Sequence, residues 1–343
     1  MSTTAIVILN WNGVDFLRQF LPSVTSNSAS FDIIVADNAS TDNSITFLEN
    51  NYPKIKIILN TSNAGFAKGY NDALLQLQGH YDYYLLLNSD IEVTQNWLTP
   101  LINLLDNNET IAGVQPKVLS FHRKDYFEHA GAAGGMMDKN YYPFCRGRIF
   151  DTVEKDAGQY DYPSEVFWTS GACMLIRASV FHKLGGFDAS FFAHMEEIDL
   201  CWRAKNQGHK FMVEPASVVY HVGGGTLNYE SPRKAFLNFR NNLFMIHKNY
   251  EGWLFGKIFY RLVLDGIAGA KYALSLKFKH VGAILKAHFA YYGQCATLSK
   301  KRKELKNQRN NPSTKGLFSG SILFNYFVKG VKKFDELDKK RFY

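Results

Sequence analysis

Apolar residues in the first 120 positions fall into short, nearly continuous runs that alternate with amphipathic stretches. The runs cover residues 4–10, 32–37, 54–59 and 83–88, and the stretches that predict helices lie near 14–26, 42–51, 65–78 and 95–106. Strands that are buried on both faces produce such runs, because neither face meets water. The alternation predicts an α/β fold in which a mostly parallel sheet is flanked by helices.

Polar residues follow each predicted strand at the point where it ends. They are Asn10-Trp11-Asn12, Asp37-Asn38, Asn60 to Asn63 and Asn88-Ser89-Asp90. The carboxyl ends of parallel strands share one edge of the sheet, and ligands of open α/β sheets bind outside that edge. We therefore expect the functional site there.

The pattern is looser between about residues 113 and 165, where Gly, Tyr and Asp are frequent, and we expect mobility there, with a loop or hairpin insertion at 130–148. Regular periodicity returns with a strand at 172–176 and a helix at 178–184, which Gly185 and Gly186 would end. A helical stretch follows in "MEEIDLCWRAKNQG", and two strand-like segments begin at Lys210 and Ser217. The second half thus predicts less regular structure than the first.

The last third of the chain combines apolar helical stretches with a strong positive charge. From Gly252 onward there are 19 Lys and Arg against 5 Asp and Glu, a net charge of +14 in a chain whose total is +8. Lys257, Arg261 and Asp265 recur every four residues and so share one helix face. The aromatic residues also follow helical spacing, which favours burial over base stacking, so we expect no nucleic-acid partner.

The N-terminus and the cysteines bear on the cellular compartment. The first apolar run stops after five residues and no basic segment precedes it, which disfavours a signal peptide or a membrane span. The four cysteines are widely spaced without a C-x-x-C pair, so neither a zinc ribbon nor a disulfide framework is predicted. We expect a cytoplasmic protein.

Asp90 is the first candidate for chemistry, because it places a carboxylate at the end of the apolar run "YYLLLNSD". Hard divalent cations such as Mg²⁺ or Mn²⁺ need oxygen ligands and often share them with substrate phosphates. Helix capping near Gln95 explains the residue equally well. Position alone therefore leaves both interpretations open.

Asp37 and Gly65 are candidates for binding a nucleotide. A carboxylate such as that of Asp37 can accept the N3–H of uracil or thymine, whereas cytosine presents an acceptor there, and turn chemistry is the alternative role. Gly65 and Gly69, in "NAGFAKGYN", would let a ligand approach the start of a helix. Neither G-x-G-x-x-G nor G-x-x-x-x-G-K-[ST] occurs, which disfavours hydride transfer and P-loop chemistry.

Three carboxylates, Glu196, Glu197 and Asp199, lie close together in "HMEEIDLCWR". We expect Asp199 to pair with Arg203 four residues on, and one of the two glutamates to act as a general base or, alternatively, to be surface acidity at a helix start. His221 ends an apolar run before Gly223-Gly224-Gly225, and it is either a metal ligand or a histidine at the edge of the core.

Seven segments together resemble a known family. "VILNWNG", "VADNASTDNS", "NAGFAKGYN", "LLLNSD", "WTSGACMLIR", "GGFDASFFAHMEEIDLCWR" and "YHVGGGT" occur in the order seen in family-2 glycosyltransferases of the GT-A fold. The chain looks most like their rhamnosyltransferase-like branch, and the resemblance covers about residues 3–245.

The resemblance implies roles for individual residues. Asn88-Ser89-Asp90 matches the D-x-D element with Asn in its first position, so Asp90 would hold Mg²⁺ or Mn²⁺, completed by His221. Asp37 would contact the base, and Glu197 would be the general base, with Glu196 and Asp199 as alternatives. The nucleotide-sugar pocket would be lined by Asn10, Trp11, Asn63, Gly65, Asn71, Asn88 and Ser89. The acceptor would be bordered by Trp168, Gly171 and Ala172.

The same resemblance implies an inverting, metal-dependent transfer of a sugar such as rhamnose. The donor would be a UDP- or dTDP-sugar, and the acceptor a hydroxyl of a glycan or lipid-linked glycan in cell-surface polysaccharide synthesis. A non-catalytic nucleotide-sugar-binding or scaffold protein with the same fold is the alternative.

The expected organisation is a GT-A catalytic domain over residues 1–250, with a nucleotide-sugar half at about 1–112 and an acceptor half at about 113–250. A basic, amphipathic helical extension covers residues 251–343. Apolar helix faces and positive charge together favour peripheral contact with the inner face of the cell membrane. If that contact is absent, the same surface would serve a homodimer.

Overall fold

The computed structural model describes residues 2–223 and 231–343. The strands are β1 Thr4–Asn10, β2 Asp32–Asp37, β3 Lys56–Leu59, β4 Tyr83–Asn88, β5 Ile91–Val93, β6 Ile111–Ser120, β7 Gly135–Asp138, β8 Pro143–Cys145, β9 Arg148–Ile149, β10 Thr152–Val153, β11 Ser164–Val166, β12 Cys173–Arg177, β13 Lys210–His221 and β14 Leu317–Phe318. The helices are α1 Val14–Asn27, α2 Ser44–Asn51, α3 Gly65–Leu75, α4 Thr99–Asp106, α5 Ala178–Lys183, α6 Glu196–Lys205, α7 Pro232–Asn249, α8 Leu254–Leu274 and α9 Phe278–Asn307. Short helical turns occur at Ala189–Phe191, Phe324–Val328, Phe334–Glu336 and Lys339–Arg341.

A mixed sheet of nine of these strands forms the centre of the molecule, in the order β11-β13-β6-β12-β4-β1-β2-β3, with β5 paired to β13. Strands β4, β1, β2 and β3 are parallel neighbours, as the first 120 residues predict. Strand β12 then runs antiparallel to both β4 and β6. The carboxyl ends of β1, β2 and β4 consequently lie side by side at one edge.

Both faces of this sheet are covered, which explains the apolar runs. Within β1, Ile6 and Ile8 belong to a core shared with α1 and α4, whereas Ala5 and Val7 belong to a core shared with α3. Successive side chains of a strand point to opposite faces, so a strand covered on both faces must be apolar throughout. The predicted α/β fold, with helices around a central sheet, is confirmed.

The region 113–165, predicted to be loose and mobile, contains regular structure, and the hairpin predicted at 130–148 is present as β7 and β8, which pair antiparallel. Residues 111–120 form β6, which is buried along nearly its whole length and pairs with β12 and β13. The segment after it builds a second sheet, in the order β10-β9-β8-β7-β14. Its strands have only two to four residues, which is too short for a recognisable alternation of apolar and polar positions.

The two strand-like segments predicted at Lys210 and Ser217 form one strand, β13, whose pairing with β6 shifts between Glu214 and Val218. A β-bulge of this kind bends a strand without ending it. The strand ends at His221. The predicted "GGGT" segment continues past Gly223 into residues 224–226, which lie outside the described residues.

The C-terminal region is helical, as predicted, but its last residues return to the second sheet. Helix α9 packs along α7, and α8 contacts both helices. After Asn307 the chain turns back, and β14 pairs in parallel with β7. Phe318, Phe334 and Leu337 are buried in the core beside it. The tail thus completes a sheet whose other strands come from residues 135–153.

Candidate active site

Asn10 and Asp37 meet where β1 and β2 end. The Asn10 side-chain amide donates to Asp37 Oδ2 at 2.9 Å, and the Ser40 amide and hydroxyl donate to the same carboxylate at 2.7 and 2.6 Å. These three bonds leave one of its roughly four acceptor positions for a ligand donor. Asn10 Oδ1 is buried without a hydrogen-bond partner among the described residues. Neighbouring Trp11 is 45% exposed, so its ring is available for stacking.

Ser89 lies across from Asn10, next to Gly13. A side chain at Gly13 would come within 2.5 Å of Asn10 Oδ1 and 3.6 Å of Ser89 Oγ. The end of β4 therefore approaches the end of β1 closely, and the absence of a side chain at position 13 permits it. This juxtaposition brings the predicted residues Asn10 and Ser89 together.

Gly65 is required by the neighbouring backbone. Its φ is +87°, and a Cβ there would lie 2.4 Å from the carbonyl oxygen of Phe192. Asn63 accepts the Gly65 amide hydrogen at 3.1 Å, and Asn38 donates to the Gly65 carbonyl at 3.1 Å. Only a glycine lets the start of α3 and the segment before α6 meet at this distance.

The side chain of Asn71 is hydrogen-bonded within the protein. Its amide donates to the Phe187 carbonyl at 2.8 Å and its oxygen accepts the Phe187 amide hydrogen at 2.9 Å. The side chain ties α3 to the segment between α5 and α6. Its predicted place in the nucleotide pocket stays a prediction.

Asp90 and His221 meet at the other side of the β4 end. Asp90 Oδ1 and His221 Nε2 are 3.1 Å apart, and the Asn88 amide nitrogen lies 3.5 Å from the same Nε2. Both Asp90 and His221 are buried. The pairing of β13 with β5 and β6 carries His221 to this position, although 131 residues separate it from Asp90.

Glu128 also belongs to this group, although the sequence gives no reason to select it. It contacts the ring nitrogen of His221 that Asp90 does not contact. Its Oε2 lies 3.1 Å from His221 Nδ1 and also accepts the Ala130 amide hydrogen. Burial opposes the charge of the imidazole, but Asp90 and Glu128 outweigh it and raise the pKa of His221 to about 10. Burial likewise opposes the Glu128 carboxylate, and His221 outweighs it and lowers the pKa of Glu128 to about 2.

The donor set at this position fits a divalent cation. Among the described residues no group of three or more His, Cys, Asp and Glu side chains could hold a metal ion. Mg²⁺ and similar ions, however, are commonly held by one or two protein ligands together with substrate phosphates and water. With Nδ1–H donating to Glu128, a cation that displaces the proton on His221 Nε2 would find that nitrogen and the Asp90 carboxylate as the two groups suited to the role.

Glu196 and Glu197 begin α6, and each has a buried Oε2 without a hydrogen-bond partner among the described residues. Burial, and then the charge of Glu197, raise the pKa of Glu196 well above its ordinary range. Burial also raises the pKa of Glu197, but backbone N–H groups at the helix start limit the rise to about 7. A carboxyl with a pKa near 7 can accept a proton at neutral pH, whereas one with a much higher pKa stays protonated.

Asp199 is fully engaged in structure. Its Oδ2 accepts from Arg203 at 2.8 Å, which confirms the predicted pair. Its Oδ1 accepts from Asn249 at 2.8 Å and contacts the Lys248 ammonium at 2.9 Å. A carboxylate that is fully buried and satisfied on both oxygens has little capacity to accept a substrate proton.

The segment that leads into α6 is held in an unusual backbone conformation. Phe192, His194 and Met195 all have φ between 65° and 72°, which costs non-glycine residues roughly 1–3 kcal/mol each. The fully buried Asn241 of α7 donates to the carbonyls of Phe191, Ala193 and His194 at 2.7 to 2.9 Å. Asn241 therefore holds the approach to the two glutamates, and the sequence offers no signal for this role.

Gly171 and Ala172 connect the two parts of the site. A side chain at Gly171 would lie 3.6 Å from the Cβ of Glu197. The carbonyl of Ala172 accepts the Asn88 amide hydrogen at 2.9 Å. The start of α6 and the end of β4 thus flank the same two residues.

Trp168 is buried instead of lining an open surface. Only 4% of it is exposed, and its indole N–H donates to the Met136 carbonyl at 2.9 Å. The ring packs on Gly135, where any side chain would overlap it. Its predicted contact with an acceptor stays a prediction, and the structure gives it a role in joining the second sheet to the site.

The sequence profile of Glycosyl transferase family 2 matches residues 5–185. The chain therefore belongs to this family of glycosyltransferases. The matched region includes Asn10, Asp37, Asp90 and Gly171, whereas Glu197 and His221 lie beyond it.

Two curated relatives are rhamnosyltransferases. The chain is 21% identical over 261 residues to the N-acetylglucosaminyl-diphospho-decaprenol L-rhamnosyltransferase of Mycobacterium tuberculosis, which covers 72% of this chain and 85% of that protein. It is 24% identical over 227 residues to rhamnosyltransferase WbbL of Escherichia coli, covering 63% of this chain and 82% of WbbL. The rhamnosyltransferase-like resemblance is confirmed.

A solved structure supports the fold. GalNAc-T7, crystallised with UDP, GalNAc and Mn²⁺, superposes with a TM-score of 0.63 at 15% sequence identity, over 96% of this chain and 57% of that one. At this identity the likeness concerns the fold alone. It supports a GT-A-like fold for this chain.

Proposed function

We propose that this glycosyltransferase moves a hexose, with rhamnose as the first choice, from a UDP- or dTDP-sugar to a hydroxyl group with inversion at the anomeric carbon. The observation that carries the proposal is the contact of both parts of the site with Gly171 and Ala172. Glu197 lies beside Gly171, and the backbone of Asn88, which leads to Asp90, is hydrogen-bonded to Ala172. A proton acceptor and the binding site of a leaving diphosphate would then flank one reaction centre.

Donor recognition is assigned to the ends of β1 and β2. The remaining acceptor position of Asp37 suits the N3–H of uracil or thymine, and the exposed face of Trp11 suits a stacked base. Asn63 and Gly65 shape the entry to α3 beside them. The rhamnosyltransferase relatives support a rhamnose donor.

Glu197 is assigned as the general base, in preference to Glu196 and Asp199. Its carboxylate takes the proton of the acceptor hydroxyl while the acceptor oxygen forms its bond to the anomeric carbon. The bond from that carbon to the diphosphate oxygen breaks, and the nucleoside diphosphate leaves with the electron pair. One displacement inverts the anomeric centre.

Asp90 and His221 would hold the divalent cation, Mg²⁺ or Mn²⁺. Such a cation neutralises the charge that develops on the departing diphosphate. The protein's contribution is the orientation of its two ligands, His221 through Glu128 and Asp90 through its position at the end of β4.

The acceptor is proposed to be a glycan or lipid-linked glycan used in cell-surface polysaccharide synthesis. One mycobacterial relative is named for a lipid-diphosphate acceptor, which supports a lipid-linked substrate here. The enzyme would then work on the cytoplasmic face of the cell membrane, held there by its C-terminal helices or, failing that, assembled through them as a dimer.

A donor screen tests this function. Purified protein is incubated with UDP-, dTDP- and GDP-sugars and Mn²⁺ or Mg²⁺, and release of nucleoside diphosphate is measured with and without a polyprenyl-diphosphate-linked N-acetylglucosamine acceptor. We expect release with dTDP- or UDP-sugars that increases with acceptor and stops with EDTA. Tight donor binding without release under any condition would support the non-catalytic alternative.

A further inference from the structure

Helix α8 buries two of its charged residues and exposes several of its large apolar ones. Arg261 is 4% exposed and Asp265 is fully buried, whereas Phe259 is 60% and Ile267 62% exposed. In helices that cover a protein core, the apolar side faces inward. This distribution is the reverse, so burial of a core does not explain the outward side of α8.

The charged side of α8 attaches the helix to the rest of the protein. Arg261 donates to Asp265 Oδ1 at 2.7 Å and to the side-chain oxygen of Asn242 on α7, and it lies 4.0 Å from the ring centre of Tyr142. Asp265 in turn lies 3.2 Å from His288 Nε2 on α9. These contacts fix which side of α8 faces outward.

The outward side of α8 is an apolar stripe over its whole length. Its residues are Phe255, Phe259, Val263, Ile267 and Leu274, each between 46% and 88% exposed. They are spaced by four or seven residues and therefore share one side of the helix. At 1.5 Å per residue the stripe is about 30 Å long.

Helix α9 also has large apolar residues on its outward side. Phe278, Leu285, Phe289 and Tyr292 are between 52% and 72% exposed, while Ala283, Ile284, Ala287 and Tyr291 are buried. Monomeric proteins rarely leave large apolar patches in water unless a partner covers them. We call the exposed apolar residues of both helices the outer face.

The charges around the outer face are positive. Lys271, Lys279 and Lys286 are exposed, and in the described part of the chain none of them forms an ion pair. Between Gly252 and Lys303 the sequence has a single carboxylate, Asp265, which is buried. Among the residues that the structure describes, the three lysines at the border of the outer face therefore have no carboxylate within ion-pair distance.

We propose that the outer face binds the headgroup boundary of an anionic lipid bilayer, with α8 and α9 lying in the plane of the membrane. Apolar side chains would enter the acyl region while the lysines contact lipid phosphates. Within residues 2–223 and 231–343, none of the helices combines the length and apolarity that a bilayer crossing requires. Amphipathic helices with an apolar side and basic flanks bind in the plane of the interface, which is the orientation proposed here.

A second copy of the chain fits this face less well. In a two-fold dimer the same patch meets itself, so the lysines at its border would approach each other. Like charges at an interface oppose association, whereas each lysine close to an anionic lipid surface strengthens binding about fivefold. The uncompensated positive border therefore favours lipid over self-association.

Vesicle flotation tests the proposal without donor or acceptor, so its result does not depend on the proposed sugar transfer. The full chain is mixed with vesicles of phosphatidylcholine alone or with an equal part of phosphatidylglycerol. We expect binding to the anionic vesicles, weakened by salt, and little binding to the neutral ones. Absence of the protein from the vesicle fraction at low salt would overturn the proposal.

A matched pair of double variants separates this face from general surface hydrophobicity. Phe259→Ser with Ile267→Ser removes two residues of the outer face, and Leu59→Ser with Leu75→Ser removes two leucines that are 63% and 65% exposed elsewhere. We expect the first pair to lower the vesicle partition coefficient at least about tenfold and the second to leave it unchanged. Equal effects of the two pairs would contradict a specific face.

Trp253 supplies a measurement of depth, because it precedes α8 and is 76% exposed. Lipids brominated in the acyl chain should quench its fluorescence on binding, and Trp253→Phe should remove most of that quenching. Light scattering of the same samples without vesicles measures mass. A dimer that the Phe259→Ser/Ile267→Ser variant converts to monomer, with no vesicle binding, would assign the face to a second copy instead.

Discussion

Globular proteins usually have a polar surface and an apolar interior. The sheet edge and the outer face depart from this arrangement in opposite ways. At the edge, Asp90, Glu128, His221 and Glu196 place charge or hydrogen-bonding capacity in the interior. On α8 and α9, large apolar side chains lie on the surface. Both arrangements carry a cost in the isolated protein, since buried charges lose hydration and exposed apolar groups order water.

The two regions differ in how that cost is met. The buried charges of Asp90, His221 and Glu128 at the edge compensate one another within the protein. The outer face has no covering element among the described residues. If one group at the sheet edge is removed, we therefore expect a large loss of reaction rate. If an exposed residue of the outer face is removed, we expect weaker binding to a partner with little change in the free energy of unfolding.

The largest expected effect is that of Asp90→Ala on turnover. Because Asp90 is the carboxylate at the proposed cation position, its loss should reduce metal-dependent transfer about 10⁴-fold, the scale expected when charge stabilisation of several kcal/mol is removed. Nucleoside diphosphate release measures this, and circular dichroism checks the fold. Turnover within tenfold of the wild type would exclude Asp90 from the reaction.

Glu197→Gln should reduce kcat about 10³-fold, a typical cost of losing a general base, while the donor KM stays near its normal value. Glu196→Gln is the matched control and should have a much smaller effect. If Glu196→Gln is the inactive variant, the base is assigned to the wrong neighbour.

The pH profile checks the same assignment independently. Burial raises the pKa of Glu197 to about 7, so below that pH the carboxyl is protonated and cannot accept the acceptor proton. The rate of the wild type should therefore rise about tenfold per pH unit below 7 and level off above it. The residual activity of Glu197→Gln should lack this rise.

Two substitutions on α8 test the inner and outer sides of one helix. Arg261→Met leaves Asp265 buried with His288 as its remaining ion-pair partner among the described residues, and should lower the free energy of unfolding by about 3 kcal/mol. Ile267→Ser, on the outward side, should change it by less than about 0.5 kcal/mol. Urea denaturation of both variants measures the contrast.

Removal of the whole ion pair sharpens this test. Arg261→Met combined with Asp265→Leu should recover most of the loss, because no unpaired charge then remains in the interior. If Ile267→Ser destabilises the protein as much as Arg261→Met does, the outward side packs against something in the folded chain, and the contrast between the two sides is wrong.

The parts of the fold that could be predicted are those with long periodic signals. Strands β1, β2 and β4 begin and end where their apolar runs do, because both faces of each strand are buried and each ends in polar residues. The second sheet could not be predicted. Beyond the hairpin in residues 130–148, its strands are too short for a periodic signal, and β7 also pairs with β14 from the C-terminal end of the chain, a contact that no local pattern records.

The residues of the candidate site likewise include some that the sequence could predict and some that it could not. Asp90 and His221 could be found because each ends a strand, and their meeting follows from strand order. Asn241 and Glu128 could not be found, because they act on segments distant in the chain. Asn241 lies in an amphipathic helix like any surface polar residue, and Glu128 is one of several acids in a region without clear periodicity.

Glu128 therefore gives the last and smallest of the expected effects. Glu128→Gln keeps an oxygen that can accept the His221 Nδ1 hydrogen but removes the negative charge behind the imidazole. Carboxylates in this position raise the ligand strength of the other ring nitrogen, and their loss typically weakens metal binding about 10- to 100-fold. We expect the lower end, about tenfold, because the amide preserves the hydrogen bond.

The measurement separates positioning from structure. The Mn²⁺ concentration for half-maximal transfer should rise in Glu128→Gln, while kcat at saturating Mn²⁺ stays within about twofold of the wild type, since the bound site is chemically intact. Glu92→Gln is the matched control, because Glu92 lies on β5 near the same edge but pairs with Lys124. An equal loss of kcat at every Mn²⁺ concentration, with an unchanged midpoint, would mean that Glu128 supports the fold of the site and not the metal ligand.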